Sequence, residues 1–266
     1  MVGLEDEETL SIKAKQVSFF RGQKAILSEI NLEITQGKIL GVIGPNGSGK
    51  STLLSLLAGD FLPTEGNITY EDNDIKNFSF IDRAKRRSVL SQSQKIMFNF
   101  TVNEIISMGI VEGYGIKTDD SSQIKLQTII GLFELDDLVN RDIRTLSGGE
   151  QQRVHIARSI IQIWNRSIYT EPRFILLDEP TSNLDLAQEI KILKIIKKEV
   201  KKGLGAMIIF HDLNLTAHFA DKIAMLSDGK IIEYGIPKSV LKPSLLEKVY
   251  GIKMKIYSEP FHISHF

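Results

Sequence analysis

A chain of 266 residues, 42% hydrophobic and 25% charged, is long enough for one large domain, or for one domain with a nested smaller lobe. Its 33 basic and 33 acidic residues cancel, so no global field draws it to nucleic acid, and with no cysteine it has neither disulfides nor thiolate metal sites and suits a reducing compartment. The first residues include Glu5, Asp6, Glu7 and Glu8, the wrong charge for a secretory signal, and no run approaches the roughly 18 apolar residues that span a bilayer. The cytoplasm is the expected compartment, and any membrane role must come through a partner.

Residues 10–20 and 30–34 alternate apolar and polar side chains, which predicts half-exposed antiparallel strands. Residues 39–43, 174–177 and 206–210 are instead short continuous apolar runs, the pattern of strands buried on both faces of a parallel sheet. Between the first two of these runs, residues 93–164 read as an inserted helical lobe. Helical apolar spacing recurs at 102–108 and 124–133, and again in the stripe Val154, Ala157, Ile160, Ile161 and Trp164. Lys194, Lys197, Lys198, Lys201 and Lys202 share a helix with Ile190, Leu193, Ile196 and Val200 and read as its solvated face. Beyond Asp212 the pattern predicts a helix, then strands at 223–226 and 231–234 turning at Asp228-Gly229. His262 and His265 in the tail are too few to signal a metal site. The expected fold is α/β: a parallel-sheet core spanning 10–245 with an N-terminal antiparallel β subdomain, the nested lobe at 93–164, and a tail from 246 to 266.

Gly44-Pro45-Asn46-Gly47-Ser48-Gly49-Lys50-Ser51 has the glycine, lysine and hydroxyl spacing of a phosphate-binding loop. A buried strand precedes it and an apolar helix from Ser51 and Thr52 follows, so backbone amides and a helix N-terminus converge on one anion site. Gly47 and Gly49 let the backbone close around a phosphate, Lys50 neutralises its oxygens, and the Ser51 hydroxyl suits Mg²⁺. The 174–177 strand delivers Asp178 and Glu179 to the carboxyl end of the sheet, where ligands of open α/β sheets gather. There Asp178 can hold Mg²⁺ through water while Glu179 orients and deprotonates an attacking water, which is what in-line phosphoryl transfer requires. Together these residues predict a nucleotide and Mg²⁺ as ligands, and the resemblance below narrows the nucleotide to ATP.

Leu146-Ser147-Gly148-Gly149-Glu150-Gln151-Gln152-Arg153 decides between phosphoryl chemistries, because with this segment the chain resembles the ABC ATPase superfamily from about Leu10 to Val240. The resemblance implies that Ser147, Gly148 and Gly149 meet the γ-phosphate of ATP bound by the other subunit of a homodimer. It also implies that Gln92 is the Q-loop glutamine beside Mg²⁺, that Asp185 closes the D-loop, and that His211 is the switch histidine. The family stacks adenine on an aromatic before a glycine near the first strand. Here that stretch is Phe19-Phe20-Arg21-Gly22, which leaves Phe20 or Arg21 for the contact.

A single phosphate loop without fused transmembrane segments resembles a stand-alone importer subunit, which works at the cytoplasmic face of the bacterial inner membrane beneath two transmembrane permease subunits. The segments 86–92 and 98–104, and the connection after Ile163-Trp164 as far as Arg173, are similar to those of hemin-import ATPases. That likeness implies haem as cargo, handed over by a periplasmic or surface haem-binding protein. An iron-siderophore or cobalamin importer is the alternative within transport, and a non-transport ABC module is the alternative outside it.

Overall fold

The computed structural model describes residues 10–92, 96–110, 120–164, 173–258 and 261–264. Strand β1 (Ser11–Arg21) pairs antiparallel with β2 (Lys24–Thr35), closing a tight hairpin where Arg21 faces Lys24. The alternation in β1 slips between Ala14 and Val17, where Gln16 takes φ 50 and bulges out of register. The central strand β3 (Ile39–Ile43) is buried along its whole length and runs through the phosphate loop into helix α1 (Lys50–Ala58). Strand β4 (Glu65–Tyr70) then adds to the free side of β1, with β5 (Asn73–Asp74) beyond it, which completes a four-stranded antiparallel sheet.

Helix α2 (Phe80–Arg86) leads directly into β6 (Arg87–Leu90). The lobe contributes α3 (Val102–Ser107), α4 (Asp120–Leu132) and α5 (Gly148–Trp164). The chain then returns to the core through β7 (Phe174–Asp178), α6 (Leu186–Val200), β8 (Gly205–Ile209) and α7 (Leu213–Phe219). Strands β9 (Lys222–Ser227) and β10 (Lys230–Gly235) form the expected hairpin, with Asp228 at φ 49 and Gly229 at φ 73, the two left-handed residues that a primed turn demands. Helices α8 (Pro237–Val240) and α9 (Pro243–Tyr250) and the hairpin β11 (Lys255–Ser258) and β12 (Phe261–Ser264) end the described chain.

The second sheet has the order β10-β9-β3-β8-β7-β6, parallel except for β10. Four adjacent parallel strands, β3, β8, β7 and β6, therefore end on the same edge. The residues that follow them, the phosphate loop, His211, Asp178-Glu179 and Gln92, converge there by topology alone.

Two apolar clusters flank the core strands. One joins the antiparallel sheet to α1, and the other runs from α3, α4 and α5 through β7 and β8 to Leu246 and Ile263. Helix α5 thus serves both lobe and core: its stripe residues Val154, Ala157, Ile160 and Ile161 are buried, and Gln162 accepts a hydrogen bond from Ser88 of β6 at 3.0 Å. The expected start of the tail at 246 falls inside α9, at the fully buried Leu246. On α6 Lys194 and Lys198 are exposed opposite the buried Leu193, Ile196 and Val200, as the amphipathic pattern predicts, whereas the half-buried Lys197 donates to the Phe219 carbonyl at 3.2 Å. Among the described residues no helix is long and apolar enough to cross a membrane.

Candidate active site

The loop between β3 and α1 needs its glycines for different reasons. Gly44 adopts φ 150, and a Cβ there would sit 2.1 Å from the Leu226 carbonyl oxygen. At Gly49, φ is 104 and a Cβ would meet Leu27 at 2.7 Å. Both are close approaches of backbone to neighbouring strands. Gly47 has open space around it, so only its φ of 80 calls for glycine. Lys50 is buried, and its ammonium donates to the carbonyls of Gly44 at 2.8 Å and Pro45 at 3.0 Å. Burial lowers its pKa, opposed by the charges of Glu179 and Asp178.

Asp178 closes β7 and is also buried; burial raises its pKa, while a hydrogen bond from Ser51 opposes the shift. One of its oxygens, Oδ1, has no hydrogen-bond partner among the described residues. A buried carboxylate oxygen without a partner, beside a serine hydroxyl, is a hard-oxygen donor set that fits Mg²⁺. No cluster of three or more His, Cys, Asp or Glu that could hold a metal occurs among the described residues, so a cation here would complete its shell with phosphate oxygens and water.

Glu179 follows at φ 50, a left-handed conformation that costs a non-glycine residue energy and tends to occur at functional sites. Its Oε2 accepts a hydrogen bond from Gln92 Nε2 at 2.9 Å, and its Oε1 pairs with His211 Nε2 at 2.6 Å. The carboxylate is thus held from both sides, and each oxygen keeps a lone pair able to receive a proton. Asn46, Gly47, Gly49, Lys50, Ser51, Thr52, Gln92, Glu179 and His211 line one open cleft of about 370 Å³, which also includes Ile26 of β2. Ser48 lies beneath it, its hydroxyl buried and without a partner among the described residues.

The other predicted site residues lie elsewhere. Phe20 is 37% exposed near the hairpin tip of β1 with Arg21 beside it, and neither lines the cleft; the apolar wall comes from Ile26, which sequence reasoning passed over because Ala25-Ile26-Leu27 carries no motif. Ser147 is exposed at the start of α5, where its hydroxyl donates to Glu150 Oε2 at 2.8 Å and accepts from the Glu150 amide at 3.3 Å, a reciprocal cap. Gly148 is exposed as well, and at Gly149 a Cβ would approach Asn183 O at 3.0 Å. Gln152 donates to the Pro180 carbonyl at 2.9 Å, which ties α5 to the loop after Glu179. Asp185 caps α6 by accepting from the Gln188 amide at 2.9 Å. His262 is exposed and stacks near Tyr257; His265 and residues 165–172 of the expected extension lie outside the described residues.

The far end of α1 was also missed. Three consecutive carbonyls, Leu57, Ala58 and Gly59, accept from Tyr70 Oη, Arg87 Nε and Arg83 Nη1 at 2.5, 2.5 and 2.7 Å. Two of these donors are cations at the negative end of the helix whose positive end faces the cleft. No local pattern announces them, because the donors arrive from β4, α2 and β6.

The model of the ABC transporter family matches residues 27–182. The hemin import ATP-binding protein HmuV of Hahella chejuensis is 37% identical over 251 residues, covering 94% of this chain and 96% of that protein. The dimeric structure of a bacterial ABC transporter cassette superposes with a TM-score of 0.74 at 27% identity, covering 85% of this chain and 98% of that one. A chain from a transporter described as metal-chelate type, in an inward-facing conformation, gives 0.77 at 25% identity over 97% of this chain and 98% of its own. Matched over more than half its length by the family model and over nearly all of it by relatives, with phosphate loop and carboxylate pair meeting in one cleft, the chain belongs to the ABC transporter family and is one of its ATPases.

Proposed function

We propose that the chain is the ATP-hydrolysing subunit of a haem importer, working as a homodimer on the cytoplasmic face of a bacterial inner membrane beneath two transmembrane permease subunits. The observation that carries the hydrolytic part is the Glu179 carboxylate, held between Gln92 and His211 beside Lys50 and Asp178. In this reading the amides from Gly44 to Thr52 cradle the phosphates of ATP, and Lys50 leaves its two carbonyl partners to neutralise the β- and γ-oxygens. Ser51 and Asp178 would hold Mg²⁺, with Gln92 nearby; the ion would supply charge compensation on the phosphates. Glu179 takes a proton from the attacking water, and Gln92 and His211 fix the angle at which it does so.

Ser147, Gly148 and Gly149 act on the partner's nucleotide. Supporting this, Ser147 and Gly148 are exposed at the start of a 17-residue helix and lie outside the cleft of their own chain. Asp185, in the loop beside them, belongs to the same dimer face. Phe20 and Arg21 sit at a hairpin tip from which an adenine ring could be covered.

The cargo assignment is supported by likeness to the hemin import relative, since cargo meets the membrane subunits and a periplasmic or surface haem-binding protein before this chain. Cargo outside can accelerate hydrolysis inside only through those subunits. The reconstituted complex with its binding protein should therefore hydrolyse ATP faster with haem than with a ferric siderophore or cobalamin, while the isolated chain ignores all three. Stimulation by a siderophore or cobalamin but not by haem would overturn the cargo and leave the ATPase standing.

A further inference from the structure

Helix α9 and strand β12 lie beyond the residues 27–182 that the family model matches, yet they are built into the catalytic edge of the sheet. In α9, Leu246 and Tyr250 are one turn apart on the same face, which packs on the cluster containing Ile43 and Phe219. Ile263 of β12 belongs to the same cluster, the first contact of these C-terminal elements with the core.

The second contact is on α7. Asn214 accepts the Ile263 N–H through Oδ1 at 2.7 Å and donates through Nδ2 to the Ile263 carbonyl at 3.2 Å, so its amide pairs with β12 as a strand's peptide would. Asn214 lies in the first turn of α7, whose N-cap Asp212 accepts from the Leu215 amide at 2.8 Å and is bonded in sequence to His211. The other side of α7 rests on β3: a Cβ at Gly41 would be 3.0 Å from both Thr216 and Ala220. Helix α7, which starts two residues after His211, is therefore clamped between β3 and β12.

We propose that β12, packed on the core beside α9, is a strap that positions the start of α7, and with it His211, for ATP hydrolysis, with Asn214 as the positioning residue. The proposal rests on reading His211 as part of the hydrolytic site. Asn214 touches no reacting atom; it acts through the 2.6 Å His211–Glu179 contact and should influence turnover.

The test uses the full chain with Asn214→Ala and Asn214→Asp, measuring kcat and KM for ATP well below each variant's melting temperature. Losing one or two hydrogen bonds should lower kcat about threefold to tenfold in Asn214→Ala with KM nearly unchanged. Asn214→Asp, which keeps the acceptor for the Ile263 N–H, should recover part of that loss. Wild-type kcat in Asn214→Ala overturns the strap, even where the melting temperature falls. Lys50→Ala and His211→Ala run alongside: if they retain activity the site reading itself is wrong, and if they lose it while the strap variants do not, only the strap is.

Discussion

Asp178 and Lys50 illustrate how a binding site is held at the expense of the unliganded fold. Each is a buried charge that burial destabilises, and each faces a ligand charge that would offset this. Because the folded-state pKa of Asp178 lies above its unfolded value, its contribution favours the fold at pH values below the ordinary aspartate range and is lost as pH rises through the folded pKa. At pH 7 the ionised carboxylate therefore penalises the nucleotide-free protein. Asp178→Asn should raise the melting temperature of the nucleotide-free chain at pH 7, by about 2–4 °C for each kcal/mol relieved, and the gain should shrink as the pH is lowered into the carboxylate range. If Asp178 holds Mg²⁺ as proposed, the same variant should lose about 10²-fold or more of its ATPase rate, because the carboxylate charge facing the ion is gone. A scanning-fluorimetry series across pH checks the first part; a melting temperature below wild type at pH 7 would show that Asp178 is a structural anchor instead.

At the scale of elements, local chemistry decided what could be read in advance. The phosphate loop and the Asp178-Glu179 pair were legible because each is confined to a strand-to-helix or strand-to-loop junction with its own residue pattern. Strand β6 was not: Arg87-Ser88-Val89-Leu90 is short and mixed, and only pairing with β7 makes it a strand. Ile26, Arg83, Arg87 and Asn214 were invisible for the same reason, since each meets partners far along the chain and no spacing rule connects them. Helix α5 was legible as an apolar stripe, but the role proposed for the exposed Ser147 and Gly148 at its start needs a second copy. If Ser147 acts across a dimer, mixing Lys50→Ala chains with Ser147→Arg chains should restore one working site in each heterodimer. Mixtures as inactive as either parent, where heterodimers demonstrably form, would place the signature in its own chain's site.

For the whole molecule, the arrangement of strands does most of the assembly. Four parallel strands side by side bring a phosphate cradle, a histidine, two carboxylates and a glutamine to one edge. In the proposed function, hydrolysis separates two copies that ATP holds together, which would let a chain with no membrane-crossing helix among its described residues drive transport through its partners. The measurement that tests this most directly is sedimentation of Glu179→Gln with ATP and Mg²⁺, alongside its turnover. The variant should bind ATP, lose about 10² to 10⁴ in hydrolysis rate, and accumulate as an ATP-bound dimer that reverts to monomer when nucleotide is removed. Near-wild-type turnover, or a chain that stays monomeric with ATP bound, would contradict it.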